Sequence, residues 1–102
     1  MPFYNLNETP EEVATYSTAF GRVVSGEQLT VGYLQFKAHE GNEEHDHPYE
    51  QFTVVISGKL WVRVGEEEDE LGPGQAFLVP AHVKHQVMAI EDTQVVSCKD
   101  II

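Results

Sequence analysis

From Leu29 onward the chain is cut into short β-forming runs by turn residues, and no stretch carries the three- and four-residue apolar spacing of an amphipathic helix. The runs fall at residues 29–36, 51–56, 60–64, 76–79, 85–90 and 94–98, and the first of them reads Leu29-Thr30-Val31-Gly32-Tyr33-Leu34-Gln35-Phe36. Between them lie Ser57-Gly58, residues 65–69, Gly72-Pro73-Gly74 and Glu91-Asp92-Thr93. Turn signals recurring at roughly 8 to 12 residues, with no long helix between them, predict an all-β domain, an antiparallel sandwich or barrel of short strands. Near the N-terminus, Asn7-Glu8-Thr9-Pro10-Glu11-Glu12 has a capping residue, a proline and first-turn acids, which predicts a short helix near residues 10–15. The acidic run Glu66-Glu67-Glu68-Asp69-Glu70 reads as a solvated hairpin tip between two strands.

A chain of 102 residues is expected to form one domain, 1–102, with room for a single core. Seventeen acidic against six basic side chains give a net charge of −11, and no Lys/Arg cluster offsets it, which argues against nucleic acid as a partner. Apolar stretches stay far below the ~20 residues a helix needs to cross a bilayer, and no basic-then-apolar leader opens the chain, so a soluble, cytoplasmic protein without membrane contact is expected. The single cysteine, Cys98, cannot form an internal disulfide, and its apolar setting Val95-Val96-Ser97-Cys98 reads as a small buried thiol.

Chemistry concentrates in Gly41-Asn42-Glu43-Glu44-His45-Asp46-His47-Pro48-Tyr49-Glu50-Gln51 and in Pro80-Ala81-His82-Val83-Lys84-His85. Histidines at i and i+2 of an extended segment point the same way, so His45 and His47 can reach one ion from one side. Gln51 and His85 each open a β-run, and an antiparallel barrel gathers strand starts around one cavity. Three imidazoles and one oxygen then suit Fe(II), Mn(II), Ni(II), Cu(II) or Zn(II). His39 and His82 lie outside this arrangement, with His82 in a turn.

These residues resemble the cupins, small β-barrels marked by two short motifs. The first is matched by His45, His47, Gln51 and Gly58 in the family's spacing, with Gln51 where glutamate is usual; Gly41 stands nearer His45 than the pattern has it. The second is matched by Gly74, Pro80 and His85, with His82 at a glycine position and Ala89 where asparagine is common. The resemblance implies a double-stranded β-helix, or jelly-roll, barrel, and one Fe, Mn, Ni or Zn ion held by His45, His47, Gln51 and His85. A neutral ligand set leaves the ion's charge uncompensated and favours an anionic substrate group. The run His-x-His-Pro-x-Glu-Gln is also similar to a subgroup that includes cupins opening the ring of unsaturated uronates. The resemblance places Ser97 and Lys99 where those enzymes carry an acid and an aromatic residue.

Further candidates follow from strand alternation and charge. Tyr33 and Gln35 share one face, and Tyr33, Tyr49 and Glu50 are candidate proton-transfer groups. Gln35 and Arg63 are candidate substrate contacts, with a surface pairing to the 66–70 acids as the alternative for Arg63. Trp61 and Phe77 are read as packing or subunit contacts. The expected function is a metal-dependent enzyme acting on a small, oxygen-rich anion, a sugar acid or keto/enol compound, by isomerisation, ring opening or lyase chemistry. An Fe(II) dioxygenase and a non-enzymatic metal or ligand-binding module remain open as alternatives. A homodimer is expected, because the strand edges of a small barrel need cover.

Overall fold

The computed structural model describes residues 3–13 and 18–100, and it is an antiparallel β-structure in two facing sheets. The strands are β1 (Glu12–Val13), β2 (Phe20–Ser25), β3 (Leu29–Phe36), β4 (Gln51–Ser57), β5 (Leu60–Val64), β6 (Glu67–Leu71), β7 (Ala76–Val79), β8 (His85–Ala89) and β9 (Thr93–Asp100). Six form one sheet in the order β1-β2-β3-β9-β4-β7, and three form the other in the order β6-β5-β8. Chain neighbours are thus often not sheet neighbours, the crossing pattern of a jelly roll.

Alternation sorts every strand into an inner and an outer face. On β9 the inner residues are Thr93, Val95, Ser97 and Lys99, and on β3 they are Thr30, Gly32, Leu34 and Phe36. Register stacks them in rows. Leu34, Val95 and Val55 form an apolar row, Gly32, Ser97 and Thr53 the next, and Thr30, Lys99 and Gln51 the last. The opposite sheet is graded the same way, from Leu60 and Ala89 through Val62 and Val87 to Val64 and His85. One end of the barrel is therefore a packed core, with Val55, Leu60 and Ala89 fully buried. The other end is polar, and it holds the site.

Three local expectations are corrected. Asn5 caps only a single 3-10 turn, Leu6–Glu8, while Glu12 and Val13 are extended and pair with β2; the remainder of the expected helix lies outside the described residues. The acidic run is not a hairpin tip. The turn comes at Gly65, and residues 67–71 form edge strand β6, where Trp61 faces Glu70 and Arg63 faces Glu68 across the ladder. Four consecutive exposed acids have low strand propensity but make an edge that repels a second edge. Cys98 is exposed, because burying Val95, Ser97 and Lys99 on the inner face turns Cys98 outward. The strand Phe20–Ser25 was absent from the sequence reading; its Gly and Arg interrupt the β signal.

Candidate metal centre

Three histidines converge although one is 38 positions from the nearest of the other two. His85 is the first residue of β8, and His45 meets it as an isolated antiparallel bridge, exchanging both backbone hydrogen bonds at 3.1 and 2.9 Å. The segment before it can lie this close because residue 41 is glycine: a Cβ there would collide with the Val87 carbonyl oxygen. Asn42 then locks the segment to β8, its Oδ1 accepting from the Val87 N–H at 2.8 Å. The His47 carbonyl accepts from the His82 N–H at 2.8 Å, tying the two motif loops together. His82 is exposed with φ 65°, the left-handed conformation that explains why a glycine suits this position.

The ring nitrogens are oriented with equal care. Nδ1–H of His45 donates to the Glu43 carbonyl at 2.7 Å, that of His47 to the Tyr49 carbonyl at 2.8 Å, and that of His85 to the Val83 carbonyl at 2.9 Å. A carbonyl only accepts, so each neutral ring carries its proton on Nδ1, and a cation would be met by Nε2. Candidate ligand atoms of the three rings lie within 4.8 Å of one another. Gln51 completes the set. Its Oε1 lies 3.0 Å from His47 Nε2, while its Nε2 donates to Ser97 Oγ at 2.6 Å, and Ser97 Oγ also accepts from Thr53 at 3.0 Å. Two lone-pair atoms, the His47 nitrogen and the Gln51 oxygen, thus face each other in a half-buried site, which is the donor set a cation fits. Burial pushes the His85 imidazole below the usual histidine range; the Val83 hydrogen bond opposes this, and His45 and His47 reinforce it. A ring held neutral is a ring ready to ligate.

The centre opens into a cavity of about 270 Å³. Its lining includes His45, His47, Gln51 and His85, together with Tyr49, Thr53, Ser97, Lys99 and Asn42, and an apolar wall of Leu34, Leu60, Phe77, Val87 and Val95. Tyr49 stacks on His47 with centroids 4.1 Å apart and planes 5° from parallel. Other expected site residues lie elsewhere. Tyr33 and Gln35 do share a face, but it is the outer one, because Leu34 and Phe36 take the interior; Gln35 is exposed. Glu50 is exposed and does not line the cavity. Arg63 is on the outer face of β5, bonded to Glu44 at 2.8 Å and Gln86 at 3.3 Å and lying 5.6 Å from the Trp61 ring centre, so its acidic partner is Glu44 and not the 66–70 run. Asn42 and Thr53 line the cavity without having been singled out. Only the barrel closure brings them there.

Comparison with known proteins agrees with this geometry. A match to the family described as "Cupin domain" covers residues 32–98. An uncharacterized protein of Streptomyces coelicolor is 27% identical over 92 residues, 90% of this chain and 88% of that protein. Among solved structures, an RmlC-like cupin from Shewanella frigidimarina superposes with a TM-score of 0.88 at 20% identity, over 98% of this chain and 90% of that one. KdgF from Halomonas sp. gives 0.86 at 23% identity, over 98% and 93%. Oxalate decarboxylase of Bacillus subtilis gives 0.80 at 19% identity over 95% of this chain but 28% of its own. With both motifs folded onto one three-histidine site inside a jelly-roll barrel, the chain belongs to the cupin family.

Proposed function

We propose that the chain is a metal-dependent enzyme that acts on a small, oxygen-rich anion, a sugar acid or keto/enol compound, by isomerisation, ring opening or lyase chemistry. One observation carries the reading: four neutral ligand groups converge on the wall of a cavity of about 270 Å³ that has both polar and apolar walls. His45, His47, His85 and Gln51 would hold one Fe, Mn, Ni or Zn ion. Bound there, such an ion would supply Lewis acidity toward a substrate carbonyl or hydroxyl oxygen. The chain's own groups bind and orient around that point. Of the three proton-transfer candidates, Tyr49 is the one in the cavity, and with Lys99 donating to its Oη at 3.4 Å its own O–H remains to hydrogen-bond a substrate oxygen.

The test begins with elemental analysis of protein purified without chelator, beside His47→Ala. About one equivalent of metal per chain, lost in the variant while the β-sheet circular dichroism stays, is the expected result. Solvent deuterium should then enter a C–H next to the carbonyl of a turned-over sugar acid or keto acid, without oxygen uptake. Protein that neither carries nor takes up any of these ions overturns the reading and favours a binding module, and substrate-dependent oxygen consumption favours the dioxygenase.

We also propose that two copies pair through the outer face of the six-stranded sheet. Phe52, Val54, Ile56 and Leu78 there are between 36% and 51% exposed, a contiguous apolar surface that water would otherwise meet. The acidic edge of β6 directs association away from the other sheet. Light scattering should give twice the 11.5 kDa chain mass, and Val54→Asp should return it to 11.5 kDa; a wild-type monomer sinks the proposal.

A further inference from the structure

The described cavity lining does not share the acidic excess of the chain around it. Seventeen acids and six basic residues make up the chain's formal charges, yet among the described lining residues there is one carboxylate, the exposed Glu12, and one Lys/Arg side chain, Lys99. Among the described residues Lys99 makes no ion pair; the two pairs present are Lys59 with Glu70 and Arg63 with Glu44. Its Nζ instead donates to Tyr49 Oη at 3.4 Å and lies 5.4 Å from that ring's centre. Tyr49 in turn lies flat on His47, and its carbonyl holds His47 Nδ1–H. Lys99 is also the cross-strand partner of Gln51 on one side and of Thr30 on the other. Directly opposed residues have Cβ atoms roughly 4.5–5.5 Å apart, so the ammonium stem starts beside the fourth candidate ligand.

Resting on the metal-centre reading above, we propose that Lys99 and Tyr49 form an anion anchor for a small carboxylate-bearing ligand, whose carboxylate they bind while a second oxygen, a short carbon chain away, faces His45, His47 and His85. The ammonium and the phenol supply N–H and O–H donors to one carboxylate, and among the described residues neither is paired with a protein acid. Against the long-range repulsion of a chain of net charge −11, the Lys99 ammonium supplies a short-range attraction for an anion at the cavity. The substrate class narrows accordingly, from any oxygen-rich molecule to short dicarboxylates and 2-oxo or 2-hydroxy acids. Neutral sugars and their lactones are disfavoured.

Malonate and its uncharged analogue malonamide are the probes, titrated calorimetrically into wild type, Lys99→Met and Lys99→Arg, each both zinc-loaded and metal-free. Methionine keeps the stem and removes the charge; arginine restores it. Malonate should bind wild type and weaken about tenfold or more in Lys99→Met, with binding largely recovered in Lys99→Arg. Zinc content and circular dichroism of Lys99→Met should match wild type, and malonamide binding should not depend on residue 99. Equal malonate affinity in wild type and Lys99→Met overturns the anchor, as does failure of malonate to bind wild type in both forms. If wild type takes up no zinc, the metal reading fails alone, and malonate binding by the metal-free protein that is lost in Lys99→Met still upholds the anchor.

Discussion

Replacing Gln51 by Glu tests the centre through charge while hardly changing shape. Gln51 Oε1 sits 3.0 Å from His47 Nε2, and its amide nitrogen donates to Ser97 Oγ at 2.6 Å. A carboxylate keeps an oxygen in the first position. At the second it meets a serine hydroxyl, which can turn to donate, so the fold should lose no more than about 1 kcal/mol for the rearranged hydrogen bond. The effect on a bound dication is far larger in gross terms: unit charges ~4 Å apart attract by about 4 kcal/mol at an effective dielectric constant of about 20, and the ion carries two. Desolvating the carboxylate in this half-buried row takes back several kcal/mol. A net gain of about 1.5–3 kcal/mol remains, or zinc binding about ten- to hundredfold tighter. Competition against a chromophoric chelator at neutral pH measures this directly, with Gln51→Ala, expected to weaken binding, as the opposite perturbation. Zinc affinity unchanged or reduced in Gln51→Glu would mean that residue 51 does not touch the ion, and the neutral-ligand argument for an anionic substrate would fall with it.

Two further predictions concern stability. Burial holds the His85 imidazole below its ordinary value of 6.5, so the unfolded chain binds that proton more readily than the folded one. The contribution is full above 6.5 and is lost as pH falls through the folded value; the metal-free protein should therefore weaken on acidification below 6.5, more steeply than His85→Gln in urea titrations. A variant with the same slope as wild type refutes the assignment. At the β4–β5 turn, Gly58 has φ 89°, and a Cβ there would strike the Asp92 carbonyl oxygen. Gly58→Ala should cost about 1–3 kcal/mol, read as a lowered urea midpoint, and an unmoved midpoint would show that the turn relaxes freely.

Much of this protein was written in local patterns. Period-two runs between turn signals gave β3, β5 and β7 to the residue and placed β4, β8 and β9 to within two residues at each end. The i, i+2 spacing of His45 and His47 declared that the two rings work together, and the distant Pro80 to His85 segment declared its partner. Both kinds of signal survive because they depend on neighbours in the chain. What failed depended on neighbours in space. Tyr33 and Gln35 were correctly paired on one face, but which face turns inward is decided by whether Leu34 and Phe36 can be buried against Val95 and Val55, strands away in sequence. The same choice on β9 exposes Cys98 and turns Ser97 and Lys99 into the cavity. The acids 67–70 have no strand signal of their own and become β6 because β5 offers a ladder beside them. Alternation fixes a two-fold choice for every strand in the sequence; only closure of the barrel, through the burial it makes possible, selects one side, and that selection is what puts a lone lysine beside three histidines.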